Sequence, residues 1–189
     1  MPAYTEDQPF EKVDYTQSPL PVGEYENCTF VNCNFSNTDL SDIYFSDCSF
    51  TGCNMGMVKL VKTTFSNTKF KECKLLGLHF EDCNAVLFTV DFEKCILDLS
   101  SFYKLKIKKT RFKDSSLKEI DFTEADLTSC TFDNCDLSLA TFDNTIIEKA
   151  DLRTAYNYSI DPLNNKIRKA RFSREGISGL LDKFDIGIE

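Results

Sequence analysis

Residues 125–144 read ADLTSCTFDNCDLSLATFDN, and the large apolar residues in this stretch stand five apart, at Leu127, Phe132, Leu137 and Phe142. Two positions before each comes a small residue: Ala125, Cys130, Cys135 or Ala140. The pattern runs outward in both directions. One set of centres is Phe30, Phe35, Leu40, Phe45, Phe50, Met55, Leu60, Phe65, Phe70, Leu75 and Phe80; a second starts at Leu87 and passes through Phe92, Leu97, Phe102, Ile107, Phe112, Leu117 and Phe122 to Leu152. Thirteen of the 17 Phe residues are centres, so this one register takes up most of the aromatic content.

A period of five fits neither the 3.6 of a helix nor the 2 of a strand, and over so long a stretch it marks an internal repeat. Residues that must point inward every fifth position force the backbone to turn a corner every fifth, and four corners close a coil of 20 residues. Stacked coils lie about 4.8 Å apart, so the repeats predict six to seven coils and a rod of roughly 30 Å. In the second half Phe alternates with Leu or Ile, which predicts Phe ladders on two opposite walls.

Eight of the nine Cys residues occupy the small slot two before a centre, where a free thiol serves as a small buried apolar group, and the ninth, Cys83, keeps the five-residue count of the first set. Their spacing is not that of a zinc finger, and the single His79 cannot complete a mixed site, so neither a metal nor another cofactor is expected. Between Phe80 and Leu87 the register slips by two residues, within EDCNAVL (81–87). The slip is either a bulge in the rod or a small contact loop.

Both ends of a solenoid need covering. Residues 1–22 are read as an irregular N-terminal cap, 23–155 as the repeat domain, and 156–189 as a C-terminal cap and dimerisation segment. In the last of these, Ser173 can cap a short helix that places Ile177, Leu180, Leu181 and Phe184 on its apolar side, while Asp185–Glu189 read as a short strand.

The charges are ordered along the chain. Lys104, Lys106, Lys108, Lys109, Arg111, Lys113 and Lys118 form a basic stretch. Glu119, Asp121, Glu124, Asp126, Asp133, Asp136, Asp143 and Glu148 follow with no Lys or Arg among them, and these eight acids equal the net charge of −8. Regularly spaced carboxylates on a rigid rod imitate the phosphate ladder of a duplex and steer basic partners. Direct nucleic-acid binding is disfavoured by the overall acidity. Catalysis finds no support, because one His and a convex wall of acids supply neither a nucleophile–base pair nor a cleft. The acidic, polar N-terminus does not read as a secretory signal and no apolar run approaches a membrane span, so a cytoplasmic protein is expected.

The A-D/N-L/F-x-x pattern resembles the pentapeptide repeat proteins over roughly residues 23–155. That resemblance implies an all-β solenoid, a right-handed quadrilateral β-helix with a short C-terminal helix and strand. Two narrower likenesses accompany it. EYENCTFVNCNFSNTDLSDIYFSDCSF (24–50) is similar to the start of the Qnr-type quinolone-resistance proteins. IDPLNNKIRKARFSREGISGLLDKFDIGIE (160–189) is similar to the tail of the immunity protein against a gyrase-poisoning microcin. Members of that branch dimerise through the C-terminal segment, mimic duplex DNA, and bind DNA gyrase or topoisomerase IV, protecting it from drugs or toxins. Carried over, the resemblance implies a homodimer through Ile177, Leu180, Leu181, Phe184, Ile186 and Ile188, and a type II topoisomerase as partner for the acids from Glu119 to Glu148. The longer loops of many Qnr proteins are missing, which bears on drug protection more than on topoisomerase binding. The competing reading is a non-catalytic interaction scaffold with an unrelated partner, using outward Ile96, Leu99, Leu139 and Ile146.

Overall fold

The computed structural model describes residues 3–187, and through residue 172 the chain winds as a four-walled parallel β-solenoid. The walls take their names here from the upper coils. Wall A is centred on Phe92, Phe112 and Phe132, wall B on Leu97, Leu117 and Leu137, wall C on Phe102, Phe122 and Phe142, and wall D on Ile107, Leu127 and Ile147, all of them buried.

Wall A carries a nine-stranded sheet of β2 (Pro9–Glu11), β4 (Thr29–Val31), β6 (Ser49–Thr51), β8 (Thr68–Lys71), β9 (Val90–Glu93), β10 (Arg111–Lys113), β11 (Thr131–Asp133), β12 (Asp151–Leu152) and β13 (Arg171–Phe172). Eight steps between strands make a rod of about 38 Å. The lower part of wall D carries a second sheet of β1 (Ala3–Glu6), β3 (Gly23–Glu26), β5 (Tyr44–Ser46) and β7 (Thr64–Ser66). Walls B and C are joined coil to coil by single bridges such as Ile96↔Ser116↔Asp136 and Ser101↔Asp121↔Thr141.

At most corners the residue two after the centre lies in the left-handed region, from Asp7 (φ 55°) to Lys169 (φ 61°). Asn and Asp accept that conformation readily, whereas other L residues pay for it, so the Asn and Asp at many corners follow from the backbone. Inside, the Phe residues stack in register. On wall A the rings of Phe30, Phe50, Phe70, Phe92, Phe112 and Phe132 follow one another at 4.7, 5.1, 5.4, 5.2 and 5.0 Å. On wall C Phe102 stacks on Phe80 at 4.5 Å and on Phe122 at 5.6 Å, which gives the upper half the two opposite aromatic ladders expected of it.

Where the small slot holds Cys or Thr, the side chain can also donate a hydrogen bond to a carbonyl of the coil below: Cys130 to Ile107 at 3.0 Å, Cys73 to Phe50 at 3.3 Å, Thr63 to Leu40 at 2.7 Å and Thr145 to Phe122 at 2.8 Å. A thiol is small, apolar and a weak donor, which suits it to the slot.

The structure differs from the sequence reading in four places. Residues 1–22 are not an irregular cap where they are described: β1 pairs with β3 from Ala3↔Gly23 to Glu6↔Glu26, and Tyr15 and Leu20 are buried, so the solenoid begins at Ala3. The turn residues that break the apolar period here, Gln17 to Pro19, hide a full coil. At the other end the coils continue past residue 155, through Ile146↔Lys166 to β13.

The expected tail helix is two 3₁₀ turns, Ile177–Leu180 and Asp182–Phe184, since Gly176 and Gly179 lie where a Cβ would meet Tyr158 at 2.2 and 2.1 Å and favour close approach over helix formation. The expected strand does not form over Asp185–Gly187, and Ile188 and Glu189 lie outside the described residues.

The fourth difference concerns the slip. Pairing runs at 20 residues up to Asn84, whose amide donates to Thr63, and at 22 from Thr68↔Val90 onward. The centre is not Leu87, which is 43% exposed, but buried Phe88. Asn84–Leu87 form a bulge on wall D with Val86 at its tip, 88% exposed, and the sheet of β1, β3, β5 and β7 ends beneath it.

Candidate binding surface

Each wall shows three outward columns, one before the centre and two after it, and stacked residues in a column are neighbours. Like charges directly opposite one another repel and unlike charges attract, so the columns have a preferred order. Wall A follows it. Lys69 and Lys71 are succeeded by Asp91 and Glu93, then by Arg111 and Lys113, with ion pairs Arg111–Asp91 at 2.6 Å and Lys113–Glu93 at 3.4 Å. This wall neutralises itself.

The eight acids expected to act together are spread over all four walls. Asp133 is on wall A and Asp136 on wall B, where it accepts from Ser138, Asn157 and Lys118. Asp126 and Glu148 are on wall D. Asp126 is itself buried; that burial opposes ionisation, but the Thr128 hydroxyl and Lys108, 3.0 Å away, more than offset it and hold its pKa below the ordinary value. The remaining four do come together. Asp121, Glu124 and Asp143 share wall C, with the Glu124 amide donating to the Asp143 carbonyl, and Glu119 sits on the corner between walls B and C.

The basic stretch therefore does not stand apart from the acids. Lys104, Lys108 and Lys118 reach up one coil to Glu124, Asp126 and Asp136 at 3.6, 3.0 and 3.4 Å. Reading the chain linearly concealed this, because partners 18 to 20 residues apart belong to adjacent coils.

Wall C carries further carboxylates that the sequence reading passed over. Asp39 and Asp42 lie near its lower end and Glu81 and Asp82 at mid-height, against Lys59, Lys62 and Lys104. Asp39 is paired with Lys59 at 3.0 Å. Among the described residues, Asp42, Asp82, Glu119, Asp121 and Asp143 have no Lys or Arg nitrogen within 4.0 Å. His79 faces outward beside Glu81, at 3.0 Å. A plain charge count could have drawn attention to the lower coils: residues 1–58 hold nine carboxylates and the single Lys12.

The acids before a centre also hold the corners. Asp121 accepts from the Thr123 amide at 2.8 Å, and Asp14 from both the amide and the hydroxyl of Thr16 at 3.0 and 2.7 Å. One oxygen then serves the turn and the other remains outward. All nine thiols are buried and free, and burial pushes Cys48, Cys130 and Cys135 up to about 12, so these three are not poised as nucleophiles. Among the described residues no group of three or more His, Cys, Asp or Glu could hold a metal ion, and no helix is long and apolar enough to cross a membrane.

The apolar set Ile96, Leu99, Leu139 and Ile146 is not a patch. Leu99 and Leu139 are separated in their corner column by Glu119, and Ile146 lies half-buried on wall D. At the C-terminal end Ile177, Phe184 and Ile186 are 51, 49 and 57% exposed, while Leu180 packs against the core and Leu181 is half-buried. Ile188, assigned to the same set, lies outside the described residues.

Compared with solved structures, the chain is similar to full-length QnrB1, a plasmid-mediated fluoroquinolone resistance protein, with a TM-score of 0.64 and 14% identity over 97% of this chain and all of that one. A weaker likeness is to HetL, a pentapeptide repeat protein involved in heterocyst differentiation regulation from the cyanobacterium Nostoc sp. strain PCC 7120, with a TM-score of 0.34, 14% identity, and 92% of this chain and 88% of that one covered. Among curated proteins no sequence matches it. A family profile described as a pentapeptide repeat region matches residues 24–86 and 85–156, most of the solenoid, and the chain belongs to the pentapeptide repeat family.

Proposed function

We propose that this protein is a non-catalytic binding rod that docks wall C on the duplex-binding surface of a type II topoisomerase, DNA gyrase or topoisomerase IV. The observation that carries the reading is the row of carboxylates on wall C that lack a cation partner, at Asp42, Asp82, Glu119, Asp121 and Asp143. A rigid solenoid holds them at fixed spacing without an entropy cost on binding, as a duplex holds its phosphates. The fold shared with QnrB1, itself a fluoroquinolone resistance protein, accords with protection of the enzyme from quinolones or a gyrase toxin. In the same reading the apolar end formed by Ile177, Leu180, Leu181, Phe184, Ile186 and Ile188 joins two rods, and the protein works in the cytoplasm, where its partner is.

The test is gyrase supercoiling in the presence of the purified protein at several salt concentrations, with and without a quinolone. Inhibition that fades with salt, or relief of drug-induced cleavage, is expected. No effect on gyrase or topoisomerase IV at micromolar protein overturns the proposal.

A second reading has one observation in its favour. Met57, 60% exposed, lies directly beneath Gly77, close to Leu76, and Leu99 continues that corner one coil higher. A scaffold using this apolar corner would lose its partner on Met57→Asp and keep it on charge reversal of wall C, which separates the two readings.

A further inference from the structure

Wall D has nine levels, and the bulge is the fifth: Tyr4–Asp7, Glu24–Asn27, Tyr44–Asp47 and Thr64–Asn67 lie below it, and Lys106–Lys109, Asp126–Ser129, Ile146–Lys149 and Lys166–Lys169 above it. Its two ends have opposite charge, and at each end like charges stack in one column, although at the top Glu148 lies beneath Arg168 in the neighbouring column. At the bottom Glu6 and Glu26 are stacked in register, beside Asp7 and Glu24. At the top the Lys149 amide donates to the Arg168 carbonyl, which puts Lys149 beneath Lys169, with Lys166 alongside. Among the described residues, none of these side chains has an opposite charge within 4.0 Å. Stacked like charges cost stability, so their place on a wall that could have alternated calls for a partner.

We propose that wall D is a self-complementary contact through which two copies of this chain pair side by side and antiparallel. Turning a second rod end for end about the fifth level sets Glu6 and Asp7 of one against Lys166, Arg168 and Lys169 of the other, and the reverse pair forms by symmetry. The parallel arrangement would set acid against acid. At the dyad the two Val86 side chains meet, giving a use for an apolar residue held 88% exposed at the tip of a bulge. Because the bulge projects, the walls stand slightly apart at their ends, and the long Lys, Arg and Glu side chains span the gap.

The dyad lies in the plane of the contact and perpendicular to the rods, so it turns wall C of both copies to the same side. The pair then presents two antiparallel rows of carboxylates on one surface. This contact is independent of the apolar C-terminal end, and its failure would leave the topoisomerase reading standing.

The experiment uses the full chain. Sedimentation velocity across a concentration series at low and high salt reads the association, and Val86→Cys reads its geometry, since the native thiols are buried and only position 86 meets itself at the dyad. Expected are a salt-sensitive dimer and a disulfide between the two Cys side chains under mild oxidation. Both are lost in Lys166→Glu/Lys169→Glu and return when Glu6→Lys/Asp7→Lys is added to the same chain. Circular dichroism confirms that each variant is folded. A monomer at every concentration, or a dimer that forms no cross-link at position 86, overturns the proposal.

Discussion

Below the bulge the aromatic side chains occupy three walls, with Tyr15 on Phe35, Phe30 on Phe50 and Phe45 on Phe65; above it they occupy two, with Phe92 on Phe112 and Phe102 on Phe122. The remaining upper walls are aliphatic, through Leu97, Leu117 and Leu137 and through Ile107, Leu127 and Ile147. The backbone frame is common to both halves, so the five-residue period fixes where side chains point and leaves open which ladder each wall carries. The bulge is where the ladders change. Phe88 meets Phe65 of wall D edge-on at 6.4 Å, Phe80 of wall C at 5.8 Å and Phe102 at 6.4 Å, and so passes the aromatic column from one wall to its neighbour.

The largest expected effect tests the aromatic contrast itself. Phe50 has rings below, above and on both neighbouring walls, at 4.7, 5.1, 5.3 and 6.0 Å, so Phe50→Ala should cost about 4 to 5 kcal/mol, more than Leu127→Ala at about 3 kcal/mol. Denaturant unfolding of the two variants checks this, and the reverse order would break the comparison. Phe122→Ala belongs between them, at about 3 to 5 kcal/mol. Next in size is the handover. Phe88→Ala should cost about 3 kcal/mol, while Leu87→Ala, three residues into an exposed bulge, should stay within about 0.5 kcal/mol.

Acidification bears on both halves through the corners. The Thr16 hydroxyl at Asp14, Arg153 at Asp151 and Lys183 at Asp161 each hold the neighbouring carboxyl below the ordinary range. A depressed folded pKa contributes stability that is fully present above the unfolded value of about 3.9 and lost as pH falls through the folded one. The thermal midpoint should therefore hold between pH 7 and 5 and fall below pH 4; a midpoint unchanged at pH 2.5 would show that the corner carboxylates contribute little. The smallest effect is a gain. Leu139 holds φ at 58° with its side chain 78% exposed, and Leu139→Asn should stabilise the upper coils by about 0.5 to 1 kcal/mol.

The period made the solenoid legible because every centre obeys the same inward demand, as Phe132 and Leu137 do. Where another demand competes, the sequence misleads. Leu87 continues the count of five, yet the longer ring of Phe88 fills the interior left where two walls exchange ladders. The first coil escaped notice because its inward residues, Thr5, Phe10, Tyr15 and Leu20, are separated by turn residues and include a polar member. The charged surface was the least legible part. Eight acids consecutive in the chain are dispersed by the winding, and only the coil-to-coil register shows that Lys104 neutralises Glu124 while Asp121 and Asp143 remain free to act together.

The most direct measurement is binding of the purified protein to gyrase, by surface plasmon resonance, for the native chain and for two charge-reversed variants. Asp121→Lys/Glu119→Lys/Asp143→Lys, on the wall proposed to dock, should fold, abolish most of the affinity and flatten its salt dependence. Asp91→Lys/Glu93→Lys/Asp133→Lys, on the self-neutralised wall A, should leave binding nearly unchanged. Equal binding by the native chain and the wall C variant would contradict the account.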